Sequence, residues 1–366
     1  VYKKYCTLRN QIRCLTKKIQ REYEKELAKE VSENPKHFWS YANQKTKNKE
    51  RVSNLSKSGD PTRNDLTDDD GEKADILATF FSSVFTREPA GEWTFRENQH
   101  PPMKNKVDTS RQAVLKVLDK LKKNKSPGPD EIHPRILAEV KDVISLPLSI
   151  LFETSIRKGT VPEEWKLANV SAIYKKGDKR MAGNYRPVSL TSIICKVLET
   201  LVRNALMDHM RTNKLFSPRQ YGFISGRSTV LQLLTVLERW TQVLDKGGEV
   251  DIIFCDFMKA FDKVPHRRLL SKLAHYGVSN EVLGWIKSFL SNRKQRVRVI
   301  DCFSSWHDVL SGMPQGLVLG PILFVTFINS LPETATKSDI YLFADDTKIF
   351  KEIVNEEDHR HLQHDL

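Results

Sequence analysis

The amino-acid sequence predicts an α+β fold. Segments with apolar side chains at helical spacing, such as residues 190–210 and 229–244, are interleaved with short apolar runs, such as residues 168–174 and 250–256. This alternation is typical of mixed helix and sheet. The length of 366 residues allows two or three domains with a sizeable core. Because 39% of the residues are hydrophobic and 17 are Phe, the composition excludes general disorder.

The charge balance is strongly positive, since 59 Lys and Arg against 46 Asp and Glu leaves +13. Such a surface attracts polyanions, nucleic acid first and acidic membrane second. The five scattered cysteines have no CxxC pair, which favours a reducing, intracellular compartment over a disulfide framework. Prolines and glycines interrupt the uncharged stretch 309–332, so we interpret it as a buried loop and helix and expect no membrane segment.

The first region, residues 1–55, is predicted to be a basic helical linker. Residues 1–50 contain 13 Lys and Arg against 6 Asp and Glu. Residues 8–31 mix long charged side chains with sparse apolar ones, as an exposed helix does. A solvated linker and an arm that contacts nucleic acid both fit this pattern.

A polar, turn-rich segment over residues 45–70 is predicted to form a loop or weak hairpin, and it leads into the second region, residues 56–145. The acidic run 68–70 is expected to cap a helix over residues 72–85, because carboxylates favour a helix N-terminus. Another helix is predicted over residues 111–122. It leads into a rigid turn at residues 124–130, which contains two prolines and a glycine.

A helix predicted over residues 136–156 crosses into the third region, residues 146–366, and is expected to kink or break at Pro147. Residues 168–174 read as a strand that ends in a basic turn. Residues 293–299 alternate basic and apolar side chains. This alternation predicts a strand with one cationic face, which either follows a nucleic-acid backbone or forms a charged sheet edge.

An apolar run over residues 250–256 ends on the carboxylate of Asp256. Its residues 252–254 lack the alternation of a half-exposed strand, so we expect a central strand. A carboxylate at the end of a buried strand is costly unless a cation meets it. Taken alone, such an Asp is more often a helix cap or an ion-pair partner than a catalytic group.

A tight hairpin is predicted over residues 340–350, with Asp345 and Asp346 at its tip. Adjacent carboxylates repel, and each raises the pKa of the other. The pair persists most easily where a divalent cation lies between it and a partner, although acidic dipeptides are also common in turns.

The segment 311–321 combines three glycines and a proline ahead of Pro321, which suits the first turn of a helix. Glycine lets the backbone approach a ligand closely. Gln315 offers one amide group in an otherwise apolar stretch. An ordinary loop before a buried helix would show the same pattern.

Together these signals are more specific. Asp256 and Asp345 lie 89 residues apart, each at a predicted strand end. Carboxylate oxygens are ligands that Mg²⁺ prefers, and substrate phosphates would complete its shell. Two Mg²⁺ ions about 4 Å apart would activate a 3′-hydroxyl and stabilise a leaving pyrophosphate. The pattern therefore indicates nucleotidyl transfer.

In this order the motifs resemble the reverse transcriptase of a non-LTR (LINE-type) retrotransposon, C-terminally truncated. The resemblance covers about residues 120–350. The matching segments are Ser126-Pro127-Gly128-Pro129-Asp130, Asn184-Tyr185-Arg186-Pro187-Val188-Ser189-Leu190, Gln220-Tyr221-Gly222-Phe223, residues 254–262, Pro314-Gln315-Gly316 and Phe343-Ala344-Asp345-Asp346. Phe38-Trp39-Ser40 and residues 78–85 also resemble the segment that links endonuclease to polymerase in these elements.

The resemblance implies a palm-and-fingers polymerase fold with a small antiparallel palm sheet and a helical N-terminal extension. Residues 56–145 would form the N-terminal extension and early fingers, and residues 146–366 the fingers and palm. A thumb is expected to be absent.

The resemblance also implies roles for particular residues. Asp256 and Asp345 match the metal-binding carboxylates, Asp346 their neighbour, and the carbonyl of Phe257 a further ligand. Phe261 matches an aromatic residue that stacks under the incoming sugar and excludes a 2′-hydroxyl.

The remaining implied roles concern the nucleotide. Arg186 matches an arginine that holds the triphosphate, and its planar group of donors suits phosphate oxygens. Lys175 is a second candidate for this contact. Gln315 and Gly316 match the loop that lines the nascent base pair and template.

The implied function is RNA-directed DNA polymerase, with an RNA template, a DNA primer, dNTPs and two Mg²⁺ ions. Nuclear action follows from the life cycle of the family alone, and the oligomeric state stays open. One alternative is a catalytically silent remnant that binds nucleic acid. A metal-dependent enzyme that acts on a small diphosphate is disfavoured. Such sites typically place both acid clusters on helices, whereas Asp256 and Asp345 each lie at a predicted strand end.

Two residues depart from the family pattern. Leu317 replaces a small hydroxyl residue and is expected to crowd the template loop. Ser330 replaces an acid, and this change is expected to remove a helix-end or ion-pair contact.

Overall fold

The computed structural model describes residues 2–29, 31, 41, 52–60, 63, 65–88 and 100–366. The chain divides into two compact units, Val1–Arg51 and Val52–Leu366. The Phe38-Trp39-Ser40 segment lies outside the described residues.

The first unit contains one long helix, α1 (Tyr2–Lys29). Most of its described side chains are exposed, as the charged, weakly apolar sequence predicts.

The second unit contains helices and strands in mixed order. Its helices are α2 (Asp70–Ser83), α3 (Arg111–Asp119), α4 (Pro134–Glu139), α5 (Lys141–Lys158), α6 (Ile193–Thr212), α7 (Thr229–Leu244), α8 (His266–His275), α9 (Asn280–Leu290), α10 (Gly320–Ile328) and α11 (Glu356–Asp365). Its strands are β1 (Leu55–Ser56), β2 (Leu66–Thr67), β3 (Leu167–Tyr174), β4 (Tyr185–Leu190), β5 (Glu249–Asp256), β6 (Lys294–Val299), β7 (Cys302–Phe303), β8 (His307–Asp308), β9 (Asp339–Phe343) and β10 (Asp346–Ile353). The α+β class predicted from the sequence is confirmed.

Several elements begin where the sequence provides a cap. Asp69 caps α2 by accepting a hydrogen bond from the Glu72 N–H at 2.7 Å, as the acidic run predicts. Ser110, Ser192 and Ser228 cap α3, α6 and α7 in the same way.

One sheet has five strands, in the order β4-β3-β6-β7 with β8 also paired to β6. Strands β3 and β6 run parallel and the other pairs antiparallel. A cluster that includes Leu77, Phe81, Val170 and Val297 buries one face of this sheet against α2.

The other large sheet is antiparallel, with the order β5-β10-β9. Its alternating side chains pack on two faces. Ile340 and Leu342 lie in a cluster with Leu362 of α11, whereas Tyr341 and Val236 of α7 lie in another. A larger core around Trp285 is formed by many other buried apolar residues, most of them on helices.

Strand β5 corrects one prediction, because it is an edge strand rather than a central one. Its apolar run reflects two covered faces instead of two neighbouring strands. Ile252 and Ile253 contact the clusters on opposite faces of the sheet. Phe254, which follows Ile253 on β5, is 67% exposed.

The helix break also differs from the prediction. It falls at Val140, which separates α4 from α5, and α5 continues through Pro147. Proline removes the hydrogen bond to the carbonyl four residues earlier. Pro147 and Val143 are both exposed, so solvent can reach that carbonyl.

The strand predicted over residues 293–299 exists as β6, but it lies inside the five-stranded sheet and is not a sheet edge. Arg293 does not join a cationic face. It is 1% exposed and donates a hydrogen bond to the Phe289 carbonyl at 2.9 Å.

Ser330 keeps a polar contact where the sequence predicts a loss, because Lys272 donates a hydrogen bond to its hydroxyl at 2.6 Å. Within the described part of the chain, no helix is long and apolar enough to cross a membrane.

Candidate active site

The acidic residues lie at one end of the three-stranded sheet. Antiparallel pairing of β5 with β10 sets Asp256 directly opposite Asp346, and such cross-strand pairs hold their Cβ atoms about 5 Å apart. Asp345 precedes β10 in the tight turn, next to Ala344, whose φ is 56°. The fold therefore brings together carboxylates that are far apart in the sequence.

The environment of Asp345 disfavours its negative charge. Partial burial raises the pKa of Asp345, and the nearby carboxylates of Asp346 and Asp256 raise it further. The positive charge of Arg186 opposes this rise. Burial and the two neighbouring carboxylates therefore both favour the protonated form of Asp345.

Among the described residues, no group of three or more His, Cys, Asp or Glu side chains is arranged to hold a metal ion by itself. This is compatible with Mg²⁺ chemistry, because Mg²⁺ usually takes one or two carboxylates and completes its shell with water and substrate phosphates.

These carboxylates face a cavity of about 550 Å³. Eight of the nine residues singled out from the sequence line it: Lys175, Arg186, Asp256, Phe257, Phe261, Gln315, Gly316 and Asp345. The ninth, Asp346, is exposed beside Asp256 but does not line the cavity.

One wall of the cavity is the turn between β3 and β4. The backbone N–H of Lys175 donates to the Asn184 carbonyl at 2.9 Å, which closes the turn. The side chains of Lys175 and Arg186 are both exposed. Neither has a carboxylate oxygen within 4.0 Å among the described residues, so both cations are available to an anion.

The floor of the cavity includes the ring of Phe261. This ring stacks on Phe324 of α10, with centroids 4.2 Å apart and planes 19° from parallel. Phe223 contacts it edge-on at 6.2 Å. Two aromatic neighbours therefore hold the ring of Phe261 in a defined orientation.

The loop that carries Gln315 and Gly316 also lines the cavity. The Ser189 N–H donates to the Gln315 carbonyl at 2.7 Å, so β4 holds the loop. Gly316 has φ +112°, and a Cβ there would lie 2.6 Å from the Ser189 carbonyl oxygen. Only glycine fits this close approach without strain.

The sequence reasoning missed Glu199, a fully buried residue of α6. Its Oε2 accepts hydrogen bonds from the N–H groups of Val318 at 2.7 Å and Leu319 at 3.1 Å. These residues follow Gly316, so Glu199 anchors the loop just before α10. Burial raises the pKa of Glu199, and the bonds from the loop and the charge of Arg293 oppose the rise.

The sequence reasoning also gave no role to Gln220, although its motif was part of the resemblance. Gln220 is buried, and its Oε1 accepts hydrogen bonds from the N–H groups of Gly222 at 2.7 Å and Ala344 at 3.0 Å. A Cβ on Gly222 would lie 2.3 Å from the Ala344 nitrogen. This segment therefore supports the turn that carries Asp345.

Residues 173–365 match the family described as reverse transcriptase (RNA-dependent DNA polymerase). The chain is 33% identical over 238 residues to a probable RNA-directed DNA polymerase from transposon X-element of Drosophila melanogaster, which covers 64% of this chain and 26% of that protein.

Two further relatives give the same result. The probable RNA-directed DNA polymerase from transposon BS of Drosophila melanogaster is 32% identical over 228 residues, covering 60% of this chain and 24% of that protein. The RNA-directed DNA polymerase from mobile element jockey of Drosophila funebris is 32% identical over 222 residues, with the same shares of 60% and 24%. The chain thus spans about a quarter of the length of these curated relatives.

Proposed function

The chain belongs to the reverse transcriptase (RNA-dependent DNA polymerase) family, and from this premise we propose that it extends a DNA primer with dNTPs copied from an RNA template. Its relatives are RNA-directed DNA polymerases of non-LTR retrotransposons. The observation that carries the proposal is the pairing of Asp256 with Asp346 beside Asp345, at the edge of a cavity that also presents Arg186.

The proposed domain organisation follows from the same premise. The sheet of β5, β10 and β9 would be the palm, and residues 146–366 would supply fingers and palm. Residues 56–145 would form the N-terminal extension and early fingers, after a basic helical linker over residues 1–55. The antiparallel order of the sheet supports the palm assignment.

Reverse transcriptases generally use divalent metal ions, and the residues present suit Mg²⁺. Asp256 and Asp345 would hold two ions, with Asp346 and the Phe257 carbonyl as further ligands. These are hard oxygen donors, as Mg²⁺ prefers, and the pairing of β5 with β10 brings Asp256 and Asp346 together beside Asp345. When bound, the ions would supply activation of the 3′-hydroxyl and stabilisation of the leaving pyrophosphate.

Arg186 and Lys175 would bind the triphosphate. Both cations border the cavity without a carboxylate partner among the described residues. A guanidinium donates two parallel hydrogen bonds to phosphate oxygens, whereas an ammonium acts as a point charge. We therefore assign the orienting contact to Arg186 and a supporting contact to Lys175.

Phe261 would select the sugar. Its ring is held by Phe324 and Phe223, so it cannot turn aside for a 2′-hydroxyl. Gln315 and Gly316 would line the nascent base pair, in a loop that the missing Cβ of Gly316 allows to pack closely on β4. This arrangement supports preference for dNTPs over NTPs.

Primer extension tests the proposal. The full chain is incubated with oligo(dT) annealed to poly(rA), dTTP and Mg²⁺, and product length is measured. We expect extension that is lost in Asp345→Asn and retained in Asp301→Asn, a matched control at an exposed turn. Nucleic-acid binding without extension in the unaltered chain would instead support the catalytically silent alternative.

A further inference from the structure

A second concave surface lies outside the candidate active site. It has a volume of about 1000 Å³ and is lined by residues of α3, α6 and the segment 104–108. None of its lining residues belongs to the active-site cavity. We name it the basic groove after its five cations: Lys104, Lys106, Lys116, Lys120 and Arg203.

The positive charge of the basic groove exceeds its negative charge. None of the five cations has a carboxylate oxygen within 4.0 Å among the described residues. The groove also holds two acids. Asp208 pairs with Arg211 at 3.4 Å. Asp108 accepts a hydrogen bond from the Ser110 N–H at 3.0 Å, and the bonds from Ser110 together with the charge of Lys116 lower its pKa. Five cations against two acids leave the groove with net positive charge.

The remaining lining indicates which anion fits. The groove also contains small or aliphatic side chains such as Ala113, Val117 and Ala205, and no aromatic side chain of the described residues lines it. Bases bind single-strand sites by stacking on aromatic rings, so this groove offers nothing for a base to stack on. Cations with neutral polar neighbours, here Asn105 and Thr200, are the usual contacts to phosphate and sugar.

We propose that the basic groove is a second nucleic-acid-binding surface, which holds a phosphodiester backbone without reading its bases. A long polyanion could contact the groove while another part of the same strand occupies the active site. This binding requires neither a nucleotide nor a metal ion, so it stands independently of the proposed polymerase activity.

The test measures binding of the full chain to fluorescent oligonucleotides by anisotropy across a series of salt concentrations, with no dNTP present. The groove variant is Lys116→Gln with Lys120→Gln. The matched control is Lys246→Gln with Lys287→Gln, two exposed lysines outside both cavities that change the net charge equally. A single-stranded RNA and an RNA–DNA hybrid of the same length are measured separately. The comparison shows whether a single strand or a duplex supplies the backbone that the groove binds.

The groove variant is expected to bind more weakly to the probe that the unaltered chain binds more tightly. This loss should be the same for every base sequence. The variant's plot of log K against log salt should be less steep by about 1.4 for single-stranded RNA, at about 0.7 per lost phosphate contact. The control should keep the slope of the unaltered chain. Equal slopes in the two variants, whether both changed or both unchanged, would overturn the proposal.

A second measurement on the unaltered chain removes any dependence on how the variant folds. Lysines are acetylated with and without RNA and quantified by mass spectrometry. RNA should protect Lys116 and Lys120 more than Lys246 and Lys287, and equal protection would again overturn the groove. Primer extension assayed in parallel separates the two proposals, since a chain that binds through the groove but never extends a primer contradicts only the polymerase activity.

Discussion

The side-chain oxygen of Gln220 accepts a hydrogen bond from the backbone N–H of Ala344 at 3.0 Å. Because Asp345 follows Ala344, a residue far away in sequence determines where the acidic turn is held. We expect Gln220→Met, which keeps the volume but loses the acceptor, to leave two buried N–H groups unpaired. Each unpaired N–H group lowers the free energy of unfolding by about 1–3 kcal/mol. Part of this loss is offset, because the substitution also removes the Nε2 group of Gln220, which is buried without a hydrogen-bond partner.

Urea unfolding measures this loss, and primer extension should fall with it because the turn is released. Gln363→Met, at an exposed position of α11, is the control and should change neither. An unaltered free energy of unfolding in Gln220→Met would show that the two hydrogen bonds contribute nothing.

Gly222→Ala is expected to disrupt the same turn by steric clash. The new Cβ would lie 2.3 Å from the Ala344 nitrogen, and this neighbour is backbone that cannot rotate away. In contrast, Gly284→Ala meets only the Gly159 Cα at 3.9 Å and should stabilise α9 by up to about 1 kcal/mol, since alanine favours helix. Thermal melting of the two variants should shift in opposite directions, and a common direction would contradict the packing described.

Glu199 predicts a pH dependence of stability. Burial raises its pKa in the folded chain above the ordinary value of 4.5, so the folded state binds the proton more tightly than the unfolded state. This contribution is fully present below pH 4.5 and is lost as the pH rises through the folded pKa.

Glu199→Gln should remove that contribution, because glutamine keeps an acceptor for Val318 and Leu319 but does not titrate. Urea unfolding between about pH 4.5 and 7 compares the two chains, and the unaltered chain should lose more stability across this interval. Glu281→Gln, at an exposed position of α9, should follow the unaltered chain. Parallel pH profiles for Glu199→Gln and the unaltered chain would exclude this role.

Phe261→Ala tests the proposed selection of the sugar. Removing the stacked ring opens space beside the cavity, so incorporation of UTP relative to dTTP should rise by at least about tenfold, or about 1.4 kcal/mol of discrimination. The ratio of kcat/KM values for the two nucleotides is the measurement. Phe303→Ala, whose ring is exposed on β7, should leave the ratio unchanged, and a constant ratio in Phe261→Ala would remove this residue from sugar selection.

Arg186→Gln should raise the KM for dTTP by about 10- to 100-fold, the cost of losing a charge-assisted hydrogen bond of about 1.5–3 kcal/mol. Lys175→Gln should have a smaller effect, because its ammonium contributes a point charge only. Steady-state extension kinetics separate the two residues. Equal effects, or a greater effect at Lys175, would reverse the assignment of the orienting contact.

Local patterns along the chain predicted most of the secondary structure. The acidic run around Asp69 caps α2 and the basic turn after β3 joins it to β4, as expected. The turn at Asp345 lies between two strands, also as expected. These features depend on neighbours within a few residues, and those neighbours are visible in the sequence.

The sequence alone therefore determined the α+β class, the position of most elements and the acidic character of the turn. Only the tertiary structure decided that β5 is an edge strand, that Arg293 is buried, and that Gln220 and Glu199 hold the loops of the site. Each of these depends on contacts between residues that are distant in the chain. Such contacts are set by how the elements pack, and no local pattern of side chains specifies them.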